Sequence, residues 1–577
     1  MHFSALVDVF EKMESTSKRL EMTDDLAKLF KETPKSEIKK VVYLCQGQLL
    51  PEFTGIELGI GDKLAEQAIA LASGKTIKEI SESYKKTGDL GITAKDALEK
   101  KHQHTLASEK LTVEKVYGNL YKLATSSGSG SQDQKIKLLA DLLGNATPGE
   151  AKVIARFVTG TMRLGAGEAT IIDAFSVMKR GDKSLREELE RAYNLTSDLG
   201  AACELLVNEG EGALKKAKPK AMNPIRPALA ERLNSAKDIF EKLGECAVEG
   251  KYDGFRVQIH KKGNDVEIFS RKQEKMTHMF PEIVEAVRNN FKASEAIFEG
   301  EAIAFDEKKK KFLPFQKTIQ RKRKHGVAEK AREMPLKLFA YELLLAEGKD
   351  YTHEPYSERR KKLESLVKKG KTIELAEMKT AKSAAELESF FRKSVAAGLE
   401  GIIAKELTAP YVAGARKFAW IKLKKSYSEK ITDSFDLAVI GFYLGKGKRT
   451  KFGFGGLLTA VFDDKHNKFK SVAKLGTGFS EEQMKWFEKT LGKDAVPKKP
   501  DNVESLLDAD VWVKPKIVVE VVADEITRSP VHACARENKE GLALRFPRFI
   551  QVREDKSVKQ ATTEEEVKSM FALQGNS

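Results

Sequence analysis

Apolar residues recur at helical spacing through the first 215 or so positions. Ile136, Leu139 and Leu142–Leu143 share one face, and Gly144 supplies a stop. A fresh helix start follows, because Thr147, Pro148 and Glu150 sit at N-cap, N1 and N3 ahead of the apolar Ile154, Phe157 and Val158. The spacing predicts an all-α domain over residues 1–215. Ser126 to Ser131, all Ser and Gly, reads as an exposed loop, and the Lys/Ala/Pro-rich Lys215–Pro224 as a linker. Beyond it the period shortens to two. Phe255, Val257 and Ile259 alternate before a Lys261–Asp265 turn, then Val266 and Ile268, which is a hairpin. Ala296–Phe305 and Leu336–Leu345 are further strands and Ala384–Ala397 a helix, predicting an α+β domain over 216–425 with mostly antiparallel sheets. Short strands at Phe435–Phe442, Gly455–Phe462 and Lys516–Val522, divided by Gly-rich turns, predict a small β barrel over 426–577, with an OB-fold the expected form. No internal repeat is present.

Composition supports several folded domains. The chain of 577 residues exceeds what one hydrophobic core serves, and 41% hydrophobic with 32% charged residues fits a folded protein. The 101 Lys and Arg outnumber the 85 Asp and Glu, leaving +16, which favours a polyanionic partner; nucleic acid is preferred over an anionic membrane surface. No run of about 18 apolar residues and no signal-peptide core occur, so a cytoplasmic, nucleoid-associated protein without a membrane partner is expected. Cys45, Cys203, Cys246 and Cys534 are far apart and lack paired Cys/His spacing, which supports neither a zinc site nor a disulfide framework and reads as buried small hydrophobes.

The chemistry concentrates at Glu249-Gly-Lys-Tyr-Asp-Gly-Phe-Arg256, a lysine beside a tight Asp-Gly turn, with an acid before it and an arginine after. Alone, such a match is a solvated turn as often as a site. It is followed in order by Ser270-Arg271, Phe298-Glu-Gly-Glu301, Tyr341-Glu-Leu-Leu, Glu400-Gly-Ile-Ile-Ala-Lys405 and Trp420-Ile-Lys-Leu-Lys424, with Arg545-Phe-Pro-Arg548 near the C-terminus and Arg163-Leu-Gly in the helical part. This series resembles the nucleotidyltransferase motifs of ATP-dependent DNA ligases over essentially the whole chain, and the archaeal form most.

The resemblance implies a helical DNA-binding domain, an adenylation domain and an OB-fold domain, with Lys251 taking AMP from ATP. A lysine attacks as the neutral amine, a form that nearby positive charge favours. Lys405, Lys422 and Arg256 are expected to converge on Lys251 and to neutralise the triphosphate. The resemblance further places Glu249 at the adenine edge, Arg256 and Arg271 at ribose or phosphate oxygens, Tyr341 stacked on adenine, Arg416 near the nucleotide, and Lys422 and Lys424 on phosphates. Glu301 and Glu400 suit the ribose hydroxyls and Mg²⁺, with Mn²⁺ the alternative metal; which glutamate does which stays open. Arg545 and Arg548 are expected to act by domain motion, orienting the pyrophosphate. Two positions depart from the pattern: Gly250 replaces a larger apolar residue, and Glu342 stands where Asp commonly follows the aromatic. Both are expected to loosen the adenine pocket, which leaves preference for ATP over ADP or GTP less sharply implied than lysine adenylation.

The expected partner is nicked double-stranded DNA, bound by a monomer and sealed for replication, repair and recombination. Lys308–Lys311, Lys317, Arg321, Lys322, Arg323 and Lys324, with Phe312 and Phe315 between, form either a phosphate-tracking groove or a solvated loop over core aromatics. Gln46–Phe53 is weakly similar to a sliding-clamp peptide and reads better as part of the helical fold. The alternatives are an RNA ligase or capping-type nucleotidyltransferase, against which the helical first domain argues, and a non-catalytic DNA-binding scaffold, against which the complete motif series argues.

Overall fold

A computed structural model describes residues 1–99, 110–128, 130–306, 311–313, 315–322, 326–368, 370–425, 434–445, 449 and 452–573, without the side chains of 311, 315, 316, 416 and 573. The chain divides into two compact units, Met1–Leu423 and Lys424–Ser577.

Among the described residues, helices alone carry the chain from Phe3 to Lys215. The helix Pro148–Val158 starts as its sequence requires: the Thr147 hydroxyl accepts from the Glu150 amide, while Glu150 reaches back to the Thr147 amide. Leu139, Leu142, Leu143, Ile154, Phe157 and Val158 are all buried in one core with the remaining helices. Gln46–Phe53 belongs to this fold, since Leu49 is buried and its carbonyl accepts from the Tyr117 hydroxyl. Lys215–Pro224 does not run as a loose linker. The Met222 amide donates to His260 Nδ1 at 3.0 Å, the Ile225 amide to Gln258 at 2.7 Å, and the Ser197 hydroxyl to the Pro224 carbonyl at 2.6 Å. Burial lowers His260 to about 3, so its ring stays neutral and able to accept.

Two sheets follow. One has the order β1 (Leu229–Arg232), β12 (Arg416–Lys424), β11 (Gly401–Glu406), β2 (Cys246–Lys251), β10 (Met378–Ala381); the β1–β12 pair is parallel. The other runs β4 (Asp265–Ser270), β3 (Phe255–Lys262), β5 (Glu295–Asp306), β7 (Leu336–Ala346), β8 (Lys349–Asp350), with β6 (Lys311–Phe312) on β5 and β9 (Ile373–Leu375) on β7. The predicted hairpin is β3–β4, with a tighter turn than the spacing suggested: Lys262 pairs Asp265, and Gly263 adopts φ +59°. Its core holds Val257, Ile259, Phe298 and Leu338. Trp420, Tyr411, Leu344 and Ile225 form a smaller cluster with Leu195 of the helical part.

The second unit is strand-rich. Phe435–Tyr443 pairs antiparallel with Gly456–Asp463, Val511–Val513 and Val518–Val522, and a helix, Glu481–Gly492, packs Phe487 into the same core. All four cysteines are buried and unpaired. Among the described residues no helix is long and apolar enough to cross a membrane.

Candidate active site

Antiparallel pairing of β2 with β11 sets Lys251 opposite Gly401, Glu249 opposite Ile403 and Ala247 opposite Lys405. Strand alternation therefore puts Glu249, Lys251, Ile403 and Lys405 on one face. This face walls a cavity of about 470 Å³, completed by Arg256 and Glu301 from the second sheet, Tyr341, Trp420, Lys422 and Arg271. Between β2 and β3 the chain turns at Asp253-Gly254. Any side chain at Gly254 would bring its Cβ within 2.5 Å of the Ala302 carbonyl, so only glycine lets the turn rest on β5. The Gly254 amide then donates to Glu301 at 3.1 Å.

Lys251 is partly buried, and its Nζ is ion-paired with Glu400. Two of the three cations expected to converge on it, Arg256 and Lys405, pair with other acids. Arg256 is held by Glu299 at 2.8 Å and donates to the Ala228 carbonyl at 2.7 Å, while among the described residues its Nε has no hydrogen-bond partner. Lys405 lies four pairs along the ladder from Lys251, about 13 Å of strand. It is 1% exposed, ion-paired with Glu249 at 2.8 Å, and surrounded by the rings of Trp420, Tyr356 and Tyr341 at 4.3, 4.7 and 5.0 Å. Both cations are committed to buried acids because desolvating a charge without a partner costs more than the pair. Lys422 does line the cavity, and Lys424 ends the same strand.

Burial pushes the Glu301 carboxyl up to about 7, against the opposing pull of Lys251 and of the Gly254 amide. Glu249 is buried, with one oxygen accepting from the Tyr356 hydroxyl and the other from Lys405. Tyr341 stands edge-on to Trp420 at 6.4 Å, with its ring on the cavity wall. Arg271 is exposed at the cavity edge, and among the described residues its side chain has no hydrogen bond or ion pair. Arg416 opens β12 opposite Leu229, but its side chain lies outside the described residues.

Neither departure from the family pattern opens the pocket. Glu342 faces away from the cavity into a fully buried pair with Arg359 at 2.8 Å. The space beside Gly250 is taken by Leu399, whose Cδ1 lies 2.6 Å from where a Cβ would stand. In the second unit, Arg545 pairs with Glu525 at 2.7 Å and covers the Phe546 ring at 5.0 Å, while Arg548 pairs with Asp524 at 3.0 Å.

The basic stretch divides. Arg321, expected on the surface, is 1% exposed and paired with Glu282 at 2.6 Å, and Phe312 packs edge-on against Tyr252 and Phe339. Lys317 and Lys322 are on the surface, with Lys322 held by Glu274 at 2.7 Å. Lys308 to Lys310, Arg323 and Lys324, and the side chains of Lys311 and Phe315, lie outside the described residues.

The donor set suits a hard divalent cation. Glu301 and Glu400 offer carboxylate oxygens beside the cavity, and burial of Glu301 leaves it favouring a positive neighbour. Among the described residues no group of three or more His, Cys, Asp or Glu forms a complete cage. Mg²⁺ is commonly held by one or two carboxylates plus substrate phosphates and water, so the two glutamates fit it. Glu299, Tyr356 and Arg360 carry no sequence signal of their own. Glu299 lies inside the Phe298–Glu301 motif, whereas Tyr356 and Arg360 sit in a charged helix with no local signature.

Comparison with known proteins agrees with this arrangement. Residues 227–424 match the family described as ATP dependent DNA ligase domain, residues 2–176 the DNA ligase N terminus, and residues 450–556 the ATP dependent DNA ligase C terminal region. A probable DNA ligase of Dictyoglomus turgidum is 47% identical over 99% of this chain and 97% of its own length. A DNA ligase of Nitrosopumilus maritimus is 43% identical over 99% and 98%. The solved structure titled Pmar-Lig_PreS3 shares the fold at a TM-score of 0.56 and 17% identity, covering 95% of this chain and 99% of that one. With three consecutive family regions and relatives above 40% identity along its whole length, the chain belongs to the ATP-dependent DNA ligases.

Proposed function

We propose that Lys251 is the residue that carries AMP in an ATP-driven reaction sealing nicks in duplex DNA. The observation that carries this reading is the position of Lys251 on the wall of the 470 Å³ cavity, between the carboxylates of Glu301 and Glu400 and the Glu249–Tyr341 surface. Glu249 is two residues away on the same strand face, about 7 Å, a separation on the scale of a nucleoside.

In the first step the Lys251 amine attacks the α-phosphorus of ATP. A P–N bond forms, the bond to pyrophosphate breaks, and the amine gives up its proton. In the second, an oxygen of the DNA 5′-phosphate attacks the AMP phosphorus, breaking the P–N bond and restoring the lysine. In the third, the 3′-hydroxyl attacks the activated 5′-phosphorus, forming the phosphodiester bond and releasing AMP. Positioning and charge stabilisation supply the rate in such transfers. Glu249 receives the adenine edge, Tyr341 its face, and Arg271 and Lys422 the ribose and phosphates. Mg²⁺, or Mn²⁺ in its place, held by Glu301 and Glu400, would neutralise charge on the phosphates.

Residues 1–215, 216–425 and 426–577 are taken as DNA-binding, adenylation and OB-fold domains of a monomer working in replication, repair and recombination. The excess positive charge serves DNA by phosphate contacts, as a sequence-independent reaction requires. Incubation with ATP labelled at the α-phosphate tests the reading. A covalent label in the parent and none in Lys251→Ala supports it; a variant that still seals nicks from ATP removes Lys251 from the mechanism.

A further inference from the structure

The helix Tyr356–Leu366 lies outside every motif of the sequence, yet it supports the cavity wall at two points. Arg359 holds Glu342, the neighbour of Tyr341, and Tyr356 donates its hydroxyl to Glu249 Oε1. Tyr356 is only 1% exposed, and its backbone amide is fixed to the Ala409 carbonyl at 3.0 Å. The same side chain acts twice, since its ring lies 4.7 Å from the Lys405 ammonium.

From these contacts we infer that Tyr356 is a positioning residue for Glu249 and that it sets discrimination between 6-amino and 6-oxo purine nucleotides. The inference rests on the reading that Glu249 meets the adenine edge. A glutamate has three side-chain torsions, and an acceptor that swings cannot tell an amine from a carbonyl. Here one oxygen is tied by Tyr356 and the other by Lys405 at 2.8 Å, so the carboxylate is held at one place on the wall. Each carboxylate oxygen accepts about two hydrogen bonds, which leaves acceptor capacity for an exocyclic amine. A 6-oxo group at that position would meet an acceptor with no hydrogen to share.

The nearby donors are kept from that oxygen. The Lys405 ammonium is directed to Glu249, to the Tyr341 carbonyl at 3.2 Å and to three aromatic faces. Arg360 Nη1 is buried 3.5 Å from Glu249 Oε1 and, among the described residues, has no hydrogen bond of its own. Removing the Tyr356 hydroxyl frees Oε1 to turn toward Arg360 and away from the base.

The test compares ATP and GTP as donors of covalent label in the parent, Tyr356→Phe, Glu249→Gln and the double variant. Tyr356→Phe keeps the ring under Lys405 and deletes one oxygen. Its ATP/GTP ratio of kcat/KM is expected to fall about tenfold, with the loss in KM for ATP and kcat near the parent value. In the Glu249→Gln background the same substitution is expected to change the ratio no further, because its effect passes through Glu249. A parental ratio in folded Tyr356→Phe, alongside a collapsed ratio in Glu249→Gln, overturns the inference and leaves the Glu249 reading standing. An unchanged ratio in Glu249→Gln overturns both. If thermal unfolding shows Tyr356→Phe to be unfolded, Arg360→Met serves as the second probe: with the competing donor gone, the ratio is expected to hold or rise, and a fall of tenfold counts against the inference.

Discussion

The Lys251 side chain is ion-paired with the Glu400 carboxylate, and the Glu400 backbone amide donates to the Lys251 carbonyl at 2.9 Å. The lysine and the carboxylate are thus locked at the adjoining ends of β2 and β11. Glu400→Gln keeps the backbone bond and removes the charge. Covalent AMP formation is expected to fall about 100-fold, as for loss of one preorganised electrostatic group. The melting temperature should barely move, because ion pairs with partial solvent access contribute about 0–1 kcal/mol. Parental labelling kinetics in this variant would remove Glu400 from the chemistry.

Arg256 and Glu299 form a second pair. Glu299 is buried and paired with Arg256, whose Nε has no hydrogen-bond partner among the described residues. Glu299→Ala leaves the guanidinium uncompensated and is expected to cost about 3–5 kcal/mol. Urea unfolding measures this directly. A loss below about 1 kcal/mol shows that water reaches the arginine.

Glu301 gives a pH signature. Its carboxyl is raised from 4.5 to about 7, so in this range the folded protein binds more protons than the unfolded chain. The associated stability is present in full below about 4.5 and is lost as pH rises through about 7. Glu301→Gln, neutral at every pH, is therefore expected to be more stable than the parent at pH 8, by about 1–3 kcal/mol, with the gap narrowing toward pH 5. Denaturation midpoints at the two pH values decide the matter, and a constant gap counts against the assignment.

Gly250 and Leu399 share one space. Gly250→Ala places a Cβ 2.6 Å from Leu399 Cδ1, a contact that forces the leucine to shift at a cost of about 1–3 kcal/mol. Pairing it with Leu399→Ala should recover part of the loss, measured as a non-additive double-mutant cycle. Strict additivity would mean that the two side chains do not compete.

DNA binding supplies a further check at the level of the whole chain. With contacts made to phosphates, the logarithm of the nicked-duplex affinity should fall linearly with the logarithm of salt, and equally for unrelated sequences. A salt-independent affinity, or one that changes with base sequence, contradicts backbone recognition.

Several features were determined by sequence alone because their causes lie within a few residues. The Thr147–Glu150 capping box, the alternation of Phe255, Val257 and Ile259, and the Asp253-Gly254 turn beside Lys251 are local, and each appears in the structure. So does the common face of Glu249 and Lys251, which follows from their spacing of two on a strand. The partner of each charge was not legible. Arg256 finds Glu299 43 residues away, Lys405 reaches Glu249 from another strand, and Arg321 sinks onto Glu282 out of an otherwise basic run. Pairing across strands and helices depends on register and on burial, and burial decides whether a cation faces solvent, a phosphate or an acid. The sequence thus determined that Glu249 and Lys251 share one strand face beside the Asp253-Gly254 turn. Only tertiary structure decided that Glu400 rather than a cation meets Lys251, that Leu399 fills the space beside Gly250, and that Tyr356 holds Glu249.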